Sequence, residues 1–319
     1  MRCVKTVMVR LSAGLLGAAL LWSCSSSNSG SLNIPVGIAI DSNGKIYIAD
    51  FGNNRIIRMD NMNGDNWITY DAANSGQGQF SGPWGIAVDS GFRIYVADSV
   101  NKRIVEFDDM NGSNFKSLYA DPITTTDQFS FPEGIAVDSS GHIYVADAKL
   151  NRIVQVNDIT GSIWTVLNHD PANNTDTFNA PAGVAVDGSG KIYVADYSNN
   201  RIVQVDNIGG TNWTTLGGTA SGSGTKQFSS PASITVNSGG SLIYVADSLN
   251  DRIVQMTDIS GNDWSSIGTI GSGINHFNNP YGVAVGNINS FFSIYASDTG
   301  NNGIVAMTDI TGTSWTTYP

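Results

Sequence analysis

A proline recurs along this chain at intervals of 48 to 50 residues, and a nearly identical segment follows it each time. The six copies begin at Pro35, Pro83, Pro132, Pro181, Pro231 and Pro280. In the second copy, residues 83–89 read Pro-Trp-Gly-Ile-Ala-Val-Asp, and residues 94–98 read Ile-Tyr-Val-Ala-Asp. A period of this length indicates a chain built from six equal structural units, each needing its neighbours to bury a hydrophobic face.

The residues inside each repeat predict four β-strands. Val, Ile, Tyr and Trp recur at strand positions, while Gly, Asp, Asn and Ser mark the turns. We predict strand A at the proline, strand B at Ile-Tyr-Val-Ala-Asp, strand C at Arg-Ile-Val and strand D at an aromatic residue. No segment after residue 24 shows a helical period. The sequence therefore predicts an all-β fold, a six-bladed β-propeller with four antiparallel strands per blade.

The repeated motif resembles the NHL repeat. It reads Pro-x-Gly-(Ile/Val)-Ala-(Val/Ile)-Asp, then (Ile/Val)-Tyr-(Val/Ile)-Ala-Asp, then Asn-Arg-Ile-Val. The resemblance covers residues 32–319, and it implies the propeller fold. It implies no single function, because NHL-type propellers include enzymes, scaffolds and sensor modules. No strand is visibly exchanged between the two ends, so we expect the ring to close by packing of the first blade on the sixth.

The first residues are typical of an export signal. Three basic residues precede an apolar run over 11–21, which is about half of the roughly 20 residues that a membrane-spanning helix needs. Leu21-x-Ser23-Cys24 resembles the bacterial lipobox, in which the cysteine is acylated. We predict a signal peptide over 1–23, then a lipidated Cys24 and a flexible Ser/Gly/Asn tether over 24–31. The alternative is an ordinary signal peptide with an incidental cysteine.

The predicted location is the bacterial cell envelope, with the lipid on Cys24 as the membrane anchor. Ser25, rather than Asp, follows the cysteine and resembles the outer-membrane pattern, which favours the outer membrane or cell surface over the inner membrane. Without residues 1–23, 13 basic residues remain against 27 acidic ones. So acidic a chain repels phosphate backbones, which excludes nucleic acid as the main partner.

Two recurring polar residues are expected to be structural. Strand B ends in an aspartate in every repeat, and an arginine follows five residues later except in the sixth repeat, which has Gly303. Such a carboxylate accepts backbone N–H bonds from the turn and pairs with the guanidinium. The aspartates are Asp50, Asp98, Asp147, Asp196, Asp247 and Asp298, and the arginines are Arg55, Arg103, Arg152, Arg201 and Arg252.

Candidate binding residues stand at two positions that differ between repeats, one after the proline and one after the strand B aspartate. Both positions are predicted to lie on the face that carries the long loops, and the first is predicted to surround the mouth of the channel. The candidates are Trp84, Glu133 and Tyr281 at the first position and Phe51 and Tyr197 at the second. Aromatic rings beside a carboxylate suit a protein, a peptide or a glycan. These residues predict a non-catalytic binding or scaffold propeller, and the alternative is a rim without a ligand.

A metal-dependent lyase or lactonase-like propeller enzyme is the alternative function. Amidating lyases and streptogramin lyases resemble this fold and use His residues with a metal. The chain has three histidines, and His142, His169 and His276 are predicted to lie in separate loops. Propeller lactonases hold a central metal with Glu, Asn and Asp, and here only Glu133 would start such a site. We therefore name no catalytic residue, metal ligand or cofactor, and a structural Ca²⁺ ion in the channel remains open.

Overall fold

The computed structural model describes residues 30–70, 78–123, 127–218, 220–237, 239–288 and 291–319. The predicted signal peptide, Cys24 and most of the predicted tether lie outside these residues. Six four-stranded antiparallel sheets follow one another along the chain, which confirms the predicted six-bladed propeller. No helix among the described residues has the length and apolar character needed to cross a membrane.

Blades 1 to 3 contain four consecutive strands each, and we call these strands A to D within every blade. Blade 1 contains β1 (Pro35–Ile40), β2 (Ile46–Asp50), β3 (Arg55–Met59) and β4 (Ile68–Tyr70). Blade 2 contains β5 (Pro83–Val88), β6 (Ile94–Asp98), β7 (Arg103–Phe107) and β8 (Lys116–Leu118). Blade 3 contains β9 (Pro132–Val137), β10 (Ile143–Asp147), β11 (Arg152–Val156) and β12 (Trp164–Leu167).

Blades 4 to 6 repeat the pattern after a small additional hairpin. The hairpin pairs β13 (His169–Asp170) with β14 (Asn173–Thr177) in the connection from blade 3. Blade 4 contains β15 (Pro181–Val186), β16 (Ile192–Asp196), β17 (Arg201–Val205) and β18 (Thr214–Gly217). Blade 5 contains β19 (Pro231–Val236), β20 (Ile243–Asp247), β21 (Arg252–Met256) and β22 (Ser265–Ile267). Blade 6 contains β23 (Pro280–Ile288), β24 (Phe291–Asp298), β25 (Gly303–Met307) and β26 (Thr316–Tyr318).

The antiparallel order places two kinds of connection on opposite faces of the ring. The turns between strands B and C and the connections between blades lie on one face, with the starting prolines, and we call it the long-loop face. A short 3₁₀ turn follows strand B on this face in five blades, at Phe51–Asn53, Ala148–Leu150, Tyr197–Asn199, Ser248–Asn250 and Thr299–Asn301. The tight turns between strands A and B, and between strands C and D, lie on the other face.

The hydrophobic core is divided among the interfaces between neighbouring blades. Tyr47 and Ala49 of blade 1, for example, pack with Ile86, Ile94 and Phe107 of blade 2. The other five interfaces repeat this arrangement. β-Branched residues dominate them because alternate side chains of each strand are buried on the two faces of the sheet. The stability of the ring therefore comes from packing between blades rather than from a single central core.

Blade 1 closes the ring on blade 6 without an exchanged strand among the described residues. The backbone N–H of Ile34 donates to Asn302 Oδ1 at 2.8 Å, and the Thr299 hydroxyl donates to the Pro35 carbonyl at 2.7 Å. The rings of Trp67 and Tyr318 stack with their centroids 5.4 Å apart. Face packing and side-chain hydrogen bonds therefore hold the seam, in line with the expected mode of closure.

Candidate ligand site at the channel mouth

The central channel is lined by strand A of all six blades and encloses a cavity of about 330 Å³. Neighbouring A strands approach closely at the second residue after each proline. A Cβ atom on Gly85 would lie 2.2 Å from the carbonyl oxygen of Glu133, and one on Gly37 would lie 2.3 Å from the carbonyl oxygen of Trp84. Glycine at this position therefore sets the width of the channel where the strands begin, and only blade 5 carries a side chain there, Ser233.

The strand B aspartates hold the loops that surround the channel. In blade 2, Asp98 accepts hydrogen bonds from the Ser81 N–H at 2.7 Å, the Asn101 amide at 2.8 Å and Arg103 Nε at 2.7 Å. These bonds join the connection before the blade, the turn after strand B and the start of strand C. Burial raises the pKa of Asp98, although all three donors act to lower it. The Asp98 carboxylate therefore stabilises the conformation of the loops around this end of the blade.

The same contacts recur in the other blades, with two departures. In blade 3, Leu150 stands at the position of Asn101, and Asp147 accepts backbone N–H bonds from both Ser130 and Phe131. In blade 6, Asp298 faces Gly303 in place of an arginine. The remaining arginine pairs are Arg55 with Asp50, Arg152 with Asp147, Arg201 with Asp196 and Arg252 with Asp247.

An aromatic cluster fills the channel mouth on the long-loop face. The residue after the proline contributes from five blades, and Tyr197 joins from the turn after β16. The Tyr281 ring lies edge-on to Trp84, with centroids 5.2 Å apart, and stacks at 6.4 Å on Tyr197. Phe51 packs edge-on against Trp84 at 5.1 Å. The structure thus brings together Phe51, Trp84, Tyr197 and Tyr281, which the sequence had placed at two separate positions.

Glu133 is the polar member of this cluster. The Tyr281 hydroxyl donates to Glu133 Oε2 at 3.1 Å, from blade 6 to blade 3. Burial raises the pKa of Glu133 to about 8; the Tyr281 hydrogen bond opposes this rise, and the charge of Asp147 adds to it. The Glu133 side chain retains some accessible surface, because it borders the channel cavity. The mouth therefore holds a carboxyl group that is largely protonated at neutral pH.

The indole of Trp84 also brings a polar atom into the mouth. Its Nε1 is buried and makes no well-formed hydrogen bond among the described residues. The indole nevertheless lies close enough to the Tyr281 hydroxyl to lower the pKa of that phenol, which burial and Glu133 hold well above its usual range. The indole N–H is therefore a buried donor without a well-placed acceptor among the described residues.

Several of the side chains expected to surround an open mouth are instead buried or make structural contacts. Trp84 and Tyr281 are only 8% and 7% exposed, so they fill the mouth rather than stand at its rim. At the second position, Ser99, Ser248 and Thr299 are buried and donate to the proline carbonyls of the next blade. These hydroxyls bridge neighbouring blades, whereas Phe51 and Tyr197 at the same position reach the cluster.

One member of the site was missed by the sequence reasoning. Phe131 packs edge-on against Trp84, with centroids 5.6 Å apart. It directly precedes Pro132, and the corresponding residues of the other repeats are Ile34, Gly82, Ala180, Ser230 and Asn279. A comparison of the residues before each proline would have marked Phe131 as the only aromatic one.

The three histidines are placed apart from one another and from the mouth. His142 Nδ1 lies 2.8 Å from Asp138 Oδ2 in the tight turn between β9 and β10. His169 contacts Asn168, and His276 contacts the carbonyl of Ile274. Within the described part of the chain, no group of three His, Cys, Asp or Glu side chains is arranged to hold a metal ion.

Comparison with known proteins identifies the repeat. The family model of the NHL repeat matches residues 32–58, 80–107, 129–156 and 178–205. The chain contains NHL repeats. The four matched segments correspond to the first three strands of blades 1 to 4, and blades 5 and 6 of this NHL-repeat propeller share the same strand order. No curated protein matches the sequence.

Solved structures share the fold at low sequence identity. A virginiamycin B lyase from Staphylococcus aureus is 18% identical, with a TM-score of 0.55 over 89% of this chain and 84% of that chain. A streptogramin B lyase is also 18% identical, with a TM-score of 0.58 over 91% and 84%. A chain of a nidogen/laminin complex is 20% identical, with a TM-score of 0.60 over 79% and 84%. These likenesses establish the shared fold alone, since the same propeller carries different functions.

Proposed function

We propose that this protein is a non-catalytic binding or scaffold propeller of the bacterial cell envelope. In this proposal it is exported, held at a membrane by lipid on Cys24, and engages a protein, peptide or glycan through its long-loop face. The observation that carries the proposal is the cluster of aromatic rings around Glu133 at the channel mouth. Aromatic residues beside a desolvated polar group are typical of binding sites, where large rings supply contact area and the polar group supplies specificity.

The surroundings of the mouth support a macromolecular partner. Apolar side chains are exposed on the turns and connections of the long-loop face, at Val100, Leu150, Leu249, Ile123 and Ile270. Scattered exposed apolar residues are normal on any surface, but these share one face with the mouth. Hydrogen bonds to the strand B aspartates hold the loops that carry these side chains in place. A rigid scaffold with divergent loops is the arrangement that binding sites favour.

Partner capture with near-isosteric variants tests the proposed site. Tyr281→Phe removes the hydroxyl that bonds Glu133, and Glu133→Gln removes the ionisable carboxyl group, while both keep the volume of the buried side chain. Tyr244→Phe and Glu106→Gln are matched controls, because Tyr244 is a buried tyrosine of strand B and Glu106 pairs with Lys116, both outside the mouth. We expect the wild type and controls to retain the same envelope partner and the two mouth variants to lose it. Equal retention by all five proteins would reject the site.

The proposed anchor is tested separately. Cys24→Ala should move the protein from the membrane fraction to the soluble fraction and abolish incorporation of labelled palmitate, because the thiol is the acylated group. Cys3→Ala is the matched control, since that cysteine lies in the predicted signal peptide. Membrane association and labelling that survive in Cys24→Ala would reject lipidation at this residue.

A second candidate function is a lyase or lactonase-like reaction at the same mouth. It is favoured by one observation, the carboxyl of Glu133 with its pKa raised to about 8 beside the channel cavity. A carboxyl in this range is suited to general acid or base catalysis near neutral pH. Metal analysis of the purified protein by native mass spectrometry tests this enzyme hypothesis. A stoichiometric transition metal, followed by turnover that Glu133→Gln abolishes, would favour the enzyme over the binding propeller.

A further inference from the structure

Among the residues that the structure describes, the carboxyl of Glu133 has no positively charged partner. The charged group that acts on it is Asp147, at the end of β10, and this charge is repulsive. No lysine, arginine or histidine forms an ion pair with Glu133 among the described residues, whereas Glu106, the other glutamate of the chain, lies 3.0 Å from Lys116 Nζ. A desolvated carboxyl group is costly to ionise unless a cation approaches it. A cation that pairs with Glu133 would therefore be supplied by a ligand.

The walls around Glu133 are suited to a cation. Tyr281 contacts both Trp84 and Tyr197 next to the carboxyl group, and Phe51 extends the aromatic surface at Trp84. The faces of aromatic rings attract an ammonium group, and this attraction is stronger when water is excluded. A carboxyl group inside an aromatic wall thus combines two kinds of attraction for one positive charge.

The hydrogen bonds at the mouth indicate which kind of cation fits. Tyr281 donates to Oε2 of Glu133, so Oε1 remains as a further acceptor of a carboxyl group that borders the channel cavity. A primary ammonium group carries three N–H donors and satisfies this acceptor, whereas a quaternary ammonium group carries none. The cavity of about 330 Å³ that Glu133 borders is large enough for a short alkylammonium ion.

We infer that the channel mouth binds the primary ammonium group of a lysine side chain of the partner, with Glu133 as its counter-ion and Trp84, Tyr197 and Tyr281 as its aromatic wall. This inference rests on the proposed binding function of the same site. It narrows the ligand to an amine of a protein or peptide and disfavours a neutral glycan.

The inference gives binding a defined pH dependence. The groups that face Glu133 are Tyr281 of β23, Tyr197 of the turn after β16 and Asp147 of β10. The two tyrosines have pKa values above their usual range, and Asp147 is held by Arg152. Glu133 is therefore the group that ionises near pH 8, and an alkylammonium ligand stays charged up to about pH 10. Binding then releases a proton at pH 7 and strengthens by about tenfold or more between pH 6 and pH 9.

Calorimetric titration of the full exported protein in detergent solution tests the inference, with n-butylammonium chloride as the probe. We expect binding that strengthens from pH 6 to pH 9 and releases a proton, as measured in buffers of different ionisation enthalpy. The neutral analogue 1-butanol and the N–H-free tetramethylammonium ion should bind at least tenfold more weakly. Glu133→Gln should abolish n-butylammonium binding, and Glu106→Gln should retain it. Binding that is equal for the alcohol, equal in Glu133→Gln or independent of pH would overturn the inference.

The partner assay separates this inference from the proposed function. If Tyr281→Phe and Glu133→Gln lose the envelope partner and n-butylammonium competes with it, both proposals are supported. If the partner is lost in the variants while n-butylammonium neither binds nor competes, the ammonium inference fails and the binding function stands. If n-butylammonium binds as expected while all variants retain the partner, the partner is bound elsewhere and the proposed function of this site fails. A thermal unfolding curve of each variant confirms that it is folded.

Discussion

The hydroxyl of Tyr281 in blade 6 donates a 3.1 Å hydrogen bond to the carboxyl of Glu133 in blade 3, although 148 positions separate the two residues in the sequence. Blades 3 and 6 are opposite each other in a ring of six, so this bond crosses the channel. It fixes the Tyr281 ring between Trp84 and Tyr197 and gives the mouth one defined arrangement. The same bond also places a titrating group among apolar side chains, which makes the stability of the fold sensitive to pH.

Raising the pH should destabilise the wild-type protein through Glu133. Burial raises the pKa of this group to about 8 in the folded state, so the folded protein holds the proton to a higher pH than the unfolded chain. The free energy of unfolding therefore falls as the pH rises from about 4.5 to 8.5, by roughly 2 to 4 kcal/mol. Urea unfolding at the two pH values measures this change. Glu133→Gln should lose this part of the pH dependence and Glu106→Gln should keep it; an identical pH dependence in Glu133→Gln would contradict the raised pKa.

Trp84→Ala should lower the free energy of unfolding by about 3–5 kcal/mol, because it removes a buried aromatic ring and leaves a cavity. The Trp84 ring is 8% exposed and contacts Phe51, Phe131 and Tyr281. The sequence alone had placed this residue around the mouth of the channel without indicating that it is buried. Chemical denaturation measures the change, with Leu249→Ala, at a half-exposed turn residue, as the low-cost control. If the free energy of unfolding fell no more in Trp84→Ala than in the control, the Trp84 ring would not be buried and the channel mouth would be open.

Asp98→Asn should destabilise the fold more than Asp298→Asn does. Replacement of Asp98 leaves the buried guanidinium of Arg103 without its counter-charge, which costs about 3 kcal/mol, as in other broken buried pairs. Asp298 has Gly303 in place of an arginine and accepts hydrogen bonds from Asn278 and Asn301, so its replacement costs about 1 kcal/mol. Urea unfolding of the two variants in parallel tests the difference. Equal losses would mean that the guanidinium contributes little beyond the shared loop contacts.

Gly85→Ala should strain the channel mouth. Its Cβ atom would lie 2.2 Å from the Glu133 carbonyl oxygen, so the neighbouring A strands must separate, at a cost of about 1–3 kcal/mol. Ser233→Gly is the matched control, because the equivalent position of blade 5 already accommodates a side chain. Thermal unfolding compares the two variants. An unchanged melting temperature in Gly85→Ala would show that the strands can move apart freely.

The fold was predictable because its determinants are local and repeated. The proline spacing, the alternation within strands and the turn residues occur six times, so each copy supports the others. The position after the proline could also be assigned to the channel mouth, since the topology alone brings the starts of all A strands together. The expected site residues Trp84, Glu133 and Tyr281 lie there for this reason.

The arrangement inside the mouth could not be predicted in the same way. Ser99, Ser248 and Thr299 occupy the same position as Phe51 and Tyr197, yet the hydroxyls turn to the proline carbonyl of the next blade while the rings extend into the channel. Whether a side chain at this position bonds to the carbonyl or extends into the channel depends on the volume left by residues of distant blades. The bond between Tyr281 and Glu133 is a further example, because only the closed ring brings the two side chains within reach.

The contacts that close the ring between blades 1 and 6 also fix the point at which the chain enters the propeller. Gly30 accepts a hydrogen bond from the Tyr318 hydroxyl, and the Ser31 carbonyl accepts one from Arg55 beside the turn that follows β2. The chain thus enters the propeller on the long-loop face, and six peptide units from Gly30 back to Cys24 span at most roughly 20 Å. With a lipid at Cys24, this segment would act as a short tether that keeps the channel mouth near the bilayer surface. A partner attached to the same membrane would then meet this mouth by lateral diffusion, whereas a bulky soluble partner would have to enter a narrow gap.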